Sequence, residues 1–474
     1  MVIGQIATST DFLVAGGGPG GYVAALRAAQ LGRNVTLVDR DGLNGVGGVC
    51  LRVGCIPSKG LIEAADLAYR SAIDGAAYGL KTKYDGIDMA AFQVWKSQLV
   101  GGLTDGIRGL LDKAGVRVVE GNLSLSRPDE AVISMPDGQA QFLKFRDLVL
   151  ATGSRPIDLP GFEVNGDDIL DSTGALCLAQ LPESLAIIGG GYIGLEIGIA
   201  LAKLGSTVTI VEALEGILPT MDRRTAKPVE QRLGELGVVL HAKSKAIAFE
   251  EGKLTIETTD GTKQIAANKV IVAIGRKPNS DDLGLDLARV STDNYGLLPV
   301  AADRRITDHI AAIGDITPGP ALAHKASAEA IVAAEALCGA KVAFQPAAIP
   351  AVVFSDPEVA SAGLSAAEAN AEGIKTTTAN FPLNASGRAK TLNAATGFLQ
   401  IVAAADSQIV LGVHIVGPHA SDLISEGVLA IEMGATLEDL ALSIHPHPTL
   451  SEQYLEAAHV GIGQPIHLAL LGKK

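Results

Sequence analysis

The chain has 474 residues, of which 47% are hydrophobic and 19% are charged, and its formal net charge is −14. This length exceeds one ordinary hydrophobic core and predicts three or four domains in a compact globular protein. Because excess acidic charge repels nucleic-acid phosphates and anionic lipids, we expect neither nucleic acid nor a membrane as a partner.

Two strand–turn–helix–strand units are predicted, each with a glycine-rich turn. The first covers Asp11–Gly16, the turn GGGPGG, Tyr22–Leu31 and Asn34–Val38. The second covers Ser184–Ile188, the turn GGGYIG, Leu195–Leu204 and Ser206–Val211. This alternation is typical of parallel-sheet nucleotide-binding domains. The apolar run ending at Leu204 carries charged residues and glycines, so we interpret it as a buried strand and helix rather than a membrane span.

The rest of the chain divides into three predicted sections. Phe92–Ala114 is predicted as a long helix and Arg117–Val149 as several short strands. A second strand-and-turn section follows the second unit, and prolines from residue 346 onward mark a last domain. In that domain strands alternate with helices, an α+β pattern, over Gly397–Ala404, Ile409–Val416, Ala420–Met433 and Ser451–Ala458.

Both glycine-rich turns have the G-x-G-x-x-G spacing between strand and helix, with an acidic residue at the end of the next strand. The residues are Gly16, Gly18, Gly21 and Asp39 in the first, and Gly189, Gly191, Gly194 and Glu212 in the second. The first glycine makes the turn, the second lets backbone reach a pyrophosphate, and the third lets the helix pack closely. The helix N-terminus faces the phosphates and the carboxylate accepts from ribose hydroxyls. The sequence therefore predicts two bound dinucleotides.

Cys50 and Cys55 form a close pair in a chain of only four cysteines. A plain helix separates residues five apart by about 7.5 Å along its axis, beyond the usual ~7 Å Cα limit of a disulfide. If the pair bonds, the backbone must be distorted, which Gly48 and Gly54 permit, and such a bond is labile and redox-active. Two unrelated buried thiols are the alternative. A zinc site lacks further soft ligands nearby, so we expect no metal.

The other two cysteines, Cys177 and Cys338, stand alone and are interpreted as packing residues. Four cysteines are too few for a secreted disulfide framework, and we see no secretory leader at the start of the sequence. We therefore expect a reducing, cytoplasmic compartment, where a close cysteine pair is catalytic or metal-binding more often than structural.

Near the end runs SIHPHPTLSEQYLEAA, with two histidines between prolines and a carboxylate in the first turn of a predicted helix. Thiol–disulfide exchange needs a base, because the thiolate is the nucleophile. Histidine titrates near neutrality, and a carboxylate can orient its imidazolium. Either histidine could serve as this base, with Glu452 as its carboxylate partner. A His447 that only caps the following helix is the alternative.

The order of these motifs resembles that of the pyridine nucleotide–disulfide oxidoreductases. C-x4-C-x-P-S-K close after the first turn, in the form GCIPSK, resembles the dihydrolipoamide dehydrogenase family over essentially the whole chain. The resemblance implies an α/β fold with two Rossmann-like, doubly wound domains for FAD and NAD and an α+β C-terminal dimerisation domain. It implies an FAD domain over 1–150, an NAD domain over 151–276, a central domain completing the FAD site over 277–346, and an interface domain over 347–474.

The resemblance also implies residue roles for the cofactors. The first turn would hold the ADP part of FAD and the second NAD. In RITDHIAAIGDIT, Gly314 and Asp315 match the family's ribityl-binding motif. Thr152, Gly153 and Gly275 lie in LVLATGSRP and VIVAIGRKPN, which match the crossings between the FAD and NAD domains.

At the reaction centre, Cys55 would be the thiolate facing the flavin and Cys50 the sulfur that attacks substrate. Lys59 and Glu196 match an ion pair near the flavin, and Tyr192 matches the side chain that screens it. Each of the three residues also has a structural alternative. Lys59 could be a surface lysine, Glu196 a charge on a helix face and Tyr192 a core residue.

By the same resemblance, the family motif H-P-T-x-x-E makes His447 and Glu452 the acid–base pair and His445 a bystander. The motif reaches the other subunit's flavin, which implies an obligate homodimer.

The implied activity is the oxidation of protein-bound dihydrolipoamide with NAD⁺. The implied partner is a lipoyl domain or another lipoylated carrier of a 2-oxoacid dehydrogenase or glycine cleavage complex, and the sequence leaves the carrier open. Two positions depart from the family: Arg52 stands where Asn is usual and Asp39 where Glu is commoner.

Other protein classes share parts of this pattern of motifs. A glutathione reductase-like or other NAD(P)H-dependent disulfide reductase shares the cysteines, but Glu212 is followed by Ala-Leu-Glu-Gly, an anion-repelling setting that favours NAD. Mercuric and large thioredoxin reductases carry a C-terminal redox pair, whereas no cysteine follows Cys338. A non-catalytic FAD-binding subunit is disfavoured because Cys50, Cys55 and His447 are all present.

Overall fold

The computed structural model describes residues 8–469. They fall into two compact units. The first comprises the chain up to residue 60 together with 90–157 and 275–345. The second comprises 61–89, 158–274 and the chain from 346 onward.

The strands, numbered along the chain, are β1 (Thr8–Ala15), β2 (Val35–Asp39), β3 (Arg117–Glu120), β4 (Asn122–Arg127), β5 (Glu130–Ser134), β6 (Ala140–Leu150), β7 (Ser154–Pro156), β8 (Ile169–Leu170), β9 (Ser184–Ile188), β10 (Thr207–Val211), β11 (Val239–His241), β12 (Lys245–Glu250), β13 (Lys253–Thr258), β14 (Gly261–Ala266), β15 (Lys269–Val272), β16 (Arg276–Pro278), β17 (Ile310–Ala312), β18 (Ala351–Val353), β19 (Val359–Gly363), β20 (Thr376–Pro382), β21 (Phe398–Ala404) and β22 (Val410–Val416).

The α-helices are α1 (Pro19–Gln30), α2 (Gly48–Val53), α3 (Cys55–Ala72), α4 (Met89–Lys113), α5 (Ser172–Leu176), α6 (Tyr192–Leu204), α7 (Arg223–Glu235), α8 (Ala323–Leu337), α9 (Ala366–Ala371), α10 (Gly387–Thr391), α11 (Ala420–Glu432), α12 (Leu437–Leu442) and α13 (Glu452–Gly461). Among the described residues, none of these helices is both long enough and apolar enough to span a bilayer.

The first unit is built on a seven-stranded sheet. Its order is β3-β2-β1-β6-β5-β4, and β17 also pairs with β6. Strands β3, β2, β1, β6 and β17 run parallel, and β5 and β4 extend the sheet as antiparallel strands. Helix α1 buries a face of glycine and alanine, so it packs closely. The strand order reverses between β1 and β6, and ligands bind at such a switch point in open α/β sheets.

The second unit holds two five-stranded sheets and one smaller sheet. Strands β11-β10-β9-β15-β8 form a parallel sheet, and β12-β13-β14 form a small antiparallel one. The last domain is an antiparallel sheet with the order β18-β19-β22-β21-β20. Its core includes the fully buried Tyr454 of α13, whose hydroxyl donates to Leu423 O at 2.8 Å and accepts from Gly427 N at 3.0 Å. These two bonds fix α13 to α11.

The predicted fold class is confirmed: two parallel α/β sheets each begin with a glycine-rich turn, and an α+β domain follows. Most predicted elements are present with ends shifted by a few residues. The helix predicted over Phe92–Ala114 covers Met89–Lys113, and the one predicted to begin at Leu195 begins at Tyr192. The apolar run ending at Leu204 is strand β9 followed by helix α6, as predicted.

Candidate active site

The first glycine-rich turn follows β1 in the first unit. Gly16 has φ +100°, which glycine adopts without strain, and a Cβ there would collide with Ala151 O. A Cβ at Gly21 would collide with Gly16 O, so only glycine lets α1 pack against the turn. At Gly18, by contrast, no described atom lies within 4 Å of the Cβ position. The turn is therefore closed at its outer glycines and open at the middle one.

The second turn repeats this geometry in the second unit. Gly189 has φ +112°, and a Cβ there would collide with Ala273 O. A Cβ at Gly194 would collide with Gly189 O, whereas the position above Gly191 is open among the described atoms. Both turns fit a pyrophosphate, because the open glycine is the N-cap of a helix and leaves room for phosphate oxygens at the helix N-terminus.

An acidic residue after each turn holds that turn in shape. Asp39 is the last residue of β2, and Glu212 comes directly after β10. Asp39 Oδ2 accepts from Gly17 N at 2.7 Å. Glu212, which is buried, accepts from Gly190 N at 2.6 Å through Oε2 and from Leu214 N at 2.7 Å through Oε1. Each carboxylate oxygen has a second lone pair, so these bonds leave acceptor capacity for a ribose hydroxyl.

The cysteine pair lies on a broken helix beside the first turn. Helix α2 ends at Val53, Gly54 interrupts it, and α3 begins at Cys55. A Cβ at Gly54 would lie 2.8 Å from Val49 O, so a side chain does not fit at the break. This is the backbone distortion that the spacing of the pair predicts.

The same segment is anchored to the first turn through backbone groups. Gly47 N donates to Gly17 O at 2.9 Å. Gly48 has φ +58°, and a Cβ there would lie 2.6 Å from the Cα of Gly18. Arg52, the departure from the family, donates to Asp41 Oδ2 at 2.8 Å and lowers the pKa of that carboxyl. The segment that carries the cysteines is thus fixed to the first glycine-rich turn and to the loop that follows β2.

Cys50 and Cys55 are thiols in this structure, and their side chains are hydrogen-bonded to each other. That hydrogen bond is the main cause that raises the pKa of Cys50, and burial adds to it, while the charge of Lys59 acts in the opposite direction. Cys55 stands at the first residue of an 18-residue helix, where the macrodipole favours a thiolate.

The crossing segments meet in the first unit. Thr152 Oγ1 donates to Asn279 O at 2.6 Å, and Asn279 N donates to Gly153 O at 2.8 Å. Ser154 Oγ donates to Asp315 Oδ2 at 2.6 Å. Gly275, with φ +130°, accepts from Ile157 N at 3.1 Å. Thr152, Gly153 and Asp315 thus lie in segments that hydrogen bonds join to one another. Their contacts with the cofactors stay a prediction.

A buried ionic cluster beneath Gly314 was not predicted. Glu329 on α8 is fully buried and accepts from Gly314 N at 2.7 Å and from Arg304 Nη1 at 3.0 Å. Lys325 Nζ lies 3.1 Å from Glu329 Oε1 and donates to Gly314 O at 3.2 Å and Thr317 Oγ1 at 3.0 Å. The cluster fixes the turn that carries Asp315. The only sequence signal was a Lys–Glu pair at i,i+4 in an alanine-rich stretch.

Replacing Lys325 by Met is expected to lower the free energy of unfolding by on the order of 2 kcal/mol. It removes three charge-assisted hydrogen bonds, while Glu329 keeps Arg304 as its counter-charge. The measurement is the urea midpoint, with the exposed Lys253 replaced by Met as the control. Equal midpoints for the two variants would show that the cluster contributes no net stability.

Two further predicted residues lie on α6 in the second unit. Tyr192 is the first residue of the helix and is partly exposed. Glu196 is buried one turn later, and its Oε1 accepts from Phe354 N at 3.0 Å. Lys59 belongs to the first unit and donates to Ser58 Oγ at 3.3 Å. The ion pair of Lys59 with Glu196 stays a prediction.

The predicted acid–base pair is formed in the last domain. His447 Nδ1 lies 2.9 Å from Glu452 Oε1, and Glu452 Oε2 accepts from Thr449 N at 2.8 Å. Burial raises the pKa of Glu452, but the hydrogen bonds from Thr449 N and His447 outweigh it and leave the pKa below its ordinary value. The ring of His447 is largely exposed, so its imidazole is oriented by Glu452 and has access to solvent.

The family description "pyridine nucleotide-disulphide oxidoreductase" matches residues 10–330, and the dimerisation domain of the same family matches residues 349–458. The chain belongs to this family. Curated relatives in the family include a dihydrolipoyl dehydrogenase of Geobacillus stearothermophilus, 47% identical over 99% of both chains. Another, of Halobacterium salinarum, is 44% identical over 98% of this chain and 99% of its own.

A solved member of the family has the same fold. The crystal structure of LpdA from Mycobacterium tuberculosis matches with a TM-score of 0.87 and 28% identity, covering 96% of this chain and 99% of that one. The resemblance to the dihydrolipoamide dehydrogenases that the sequence suggested is confirmed by these relatives.

Proposed function

We propose that this chain is an FAD- and NAD-dependent dihydrolipoyl dehydrogenase that oxidises protein-bound dihydrolipoamide to lipoamide. The observation that carries the proposal is the hydrogen-bonded Cys50–Cys55 pair, fixed by Gly47 and Gly48 to the first dinucleotide turn. Relatives that carry this name over nearly their full length support the same activity.

The residues that would hold the two cofactors are those that shape the turns and crossings. For FAD they are Gly16, Gly18, Gly21, Asp39, Thr152, Gly153, Gly314 and Asp315. For NAD they are Gly189, Gly191, Tyr192, Gly194, Glu212 and Gly275. When bound, FAD takes the electron pair of the dithiol and delivers it as hydride to NAD⁺. In the proposal Lys59 and Glu196 pair near the flavin.

The thiol chemistry falls to the protein's own residues. His447, oriented by Glu452, takes the proton of one dihydrolipoyl thiol. The resulting thiolate attacks the Cys50 sulfur of the oxidised pair, which forms a mixed disulfide and releases Cys55 as a thiolate. The second substrate thiol then attacks the substrate sulfur of the mixed disulfide and closes the lipoyl disulfide, while its proton passes to the departing Cys50 sulfur. The substrate loses two electrons and the cysteine pair gains them.

The proposed assembly is an obligate homodimer in which the His447 segment serves the other subunit. The family's dimerisation domain at residues 349–458 supports it. Large apolar side chains of the last domain that are exposed to solvent on the single chain also support it. Met433 is 75% exposed, Leu442 74% and Ile444 97%. Exposed large apolar side chains are a feature of protein interfaces.

The remaining elements of the proposal concern the setting. The partner is a lipoyl domain or other lipoylated carrier of a 2-oxoacid dehydrogenase or glycine cleavage complex, in the cytoplasm. The proposed chain has four domains, with boundaries at residues 150, 276 and 346. The grouping of residues 275–345 with the chain up to 60 supports assigning the central domain to the FAD site.

Steady-state turnover of dihydrolipoamide with NAD⁺ tests the proposed function. The same assay with NADP⁺ tests whether the second glycine-rich turn favours NAD⁺. The 2′-phosphate would lie near the carboxylate of Glu212, and unit charges ~4 Å apart at an effective dielectric near 20 repel by about 4 kcal/mol before screening. We expect kcat/KM to favour NAD⁺ by at least about a hundredfold. Comparable values for both cofactors would contradict this. A panel of lipoylated carriers in the same assay identifies the partner.

A further inference from the structure

His445 lies two residues before His447, in the loop between α12 and α13. Its side chain is 7% exposed, against 79% for His447. Its Nδ1 lies 2.9 Å from Ser443 O, and its Nε2 lies 2.8 Å from Glu426 Oε1 on α11. Both ring nitrogens therefore face oxygen atoms at hydrogen-bond distance.

These partners decide whether the His445 ring is a neutral imidazole or an imidazolium. A backbone carbonyl and an ionised carboxylate only accept, and a neutral imidazole has a single N–H. The neutral ring would turn one nitrogen lone pair toward an oxygen lone pair, whereas the imidazolium donates to both. The charged groups that face it are Glu426 from α11 and Glu452 from the start of α13. The hydrogen bond to Glu426 raises the pKa of His445, burial opposes this, and both carboxylate charges add to the rise.

His447 has a different set of partners. Its Nδ1 bonds to Glu452, and within residues 8–469 its Nε2 makes no hydrogen bond. A neutral His447 can therefore donate from Nδ1 and take a proton at Nε2. His445 has no nitrogen left to take one, so the geometry removes it as an alternative base.

We infer that His445 is held as an imidazolium between Ser443 and Glu426 and positions the loop that carries His447. The inference rests on the proposed function. Helix α11 serves as the common support of the acid–base pair. It holds the loop through Glu426, and it holds α13, which begins at Glu452, through the Tyr454 hydroxyl. His445 is thus a positioning residue.

Turnover of dihydrolipoamide in His445→Gln and Glu426→Gln tests the positioning role. A misplacement of about 1 Å costs up to ~10²-fold in rate, so kcat is expected to fall by roughly 10- to 100-fold. KM for NAD⁺ and NADH oxidation by an artificial acceptor should be unchanged, because neither involves the loop. The double variant should be no worse than the poorer single variant, since the two residues act through each other. His309→Gln, which removes a histidine bonded to Pro128 O, is the control. Single-variant turnover within about twofold of wild type would overturn the role.

The pH dependence of stability tests the charge state separately. A raised folded pKa stabilises the protein fully below the unfolded value near 6.5, and that stability is lost as the pH rises through the folded pKa. The melting temperature of wild type minus that of His445→Gln should therefore be largest near pH 6 and shrink as the pH rises. A difference that is constant with pH would overturn the imidazolium, whatever the turnover. If wild type fails to oxidise dihydrolipoamide at all, the proposed function fails and this measurement still decides the charge state.

Discussion

Replacing Cys50 by Ser is expected to abolish dihydrolipoamide oxidation while FAD stays bound. The substrate thiolate then has no disulfide sulfur to attack, so the loss should be complete rather than partial. The reduced variant should keep the long-wavelength absorbance of a thiolate beside flavin, because Cys55 remains at the start of α3. Absorbance spectra of the reduced protein and steady-state turnover measure the two effects.

Cys55→Ser should lose both turnover and the long-wavelength band. The reason is the position of Cys55 at the N-terminus of α3, where the helix dipole favours a thiolate. Cys338→Ser is the matched control, since burial raises the pKa of that thiol and makes it unreactive. If the two variants gave the opposite spectra, the roles of Cys50 and Cys55 would be exchanged.

The dinucleotide turns could be predicted from the sequence because their cause is local. A Cβ at Gly21 collides with the backbone of Gly16 in the same turn, so the glycine spacing itself encodes the turn. The break at Gly54 is local in the same sense, since five-residue spacing in a continuous helix could not bring Cys50 and Cys55 together. Strand periodicity and the order of the motifs then fixed the fold class.

The buried partners could not be predicted in this way. Glu329 meets Arg304 from a different part of the chain, and His445 meets Glu426 on another helix. Such pairs depend on how helices pack, which no local pattern records. The contact of His445 with Glu426 could not be predicted, because Glu426 lies 19 positions away and follows no motif.

Replacing His447 by Gln is expected to lower dihydrolipoamide oxidation by 10²–10⁴-fold, the usual cost of losing a general base. Gln keeps size and polarity but cannot take a proton from the substrate thiol. NADH oxidation by an artificial acceptor needs no thiol deprotonation and should survive largely intact. Measuring both reactions on the same preparation separates chemistry from folding, because a defect in dimer or fold would lower the two together.

Glu452→Gln is expected to do the same more mildly, since it removes the charge that orients His447 but not the base. The pKa of Glu452 is lowered, so its stabilising charge is present above the unfolded value near 4.3 and is lost only as the pH falls through the lowered folded pKa. The rate loss in this variant should therefore be constant across neutral pH. Near-normal turnover in His447→Gln would move the base to another residue. It could not be His445, whose two nitrogens are already bonded to Ser443 and Glu426.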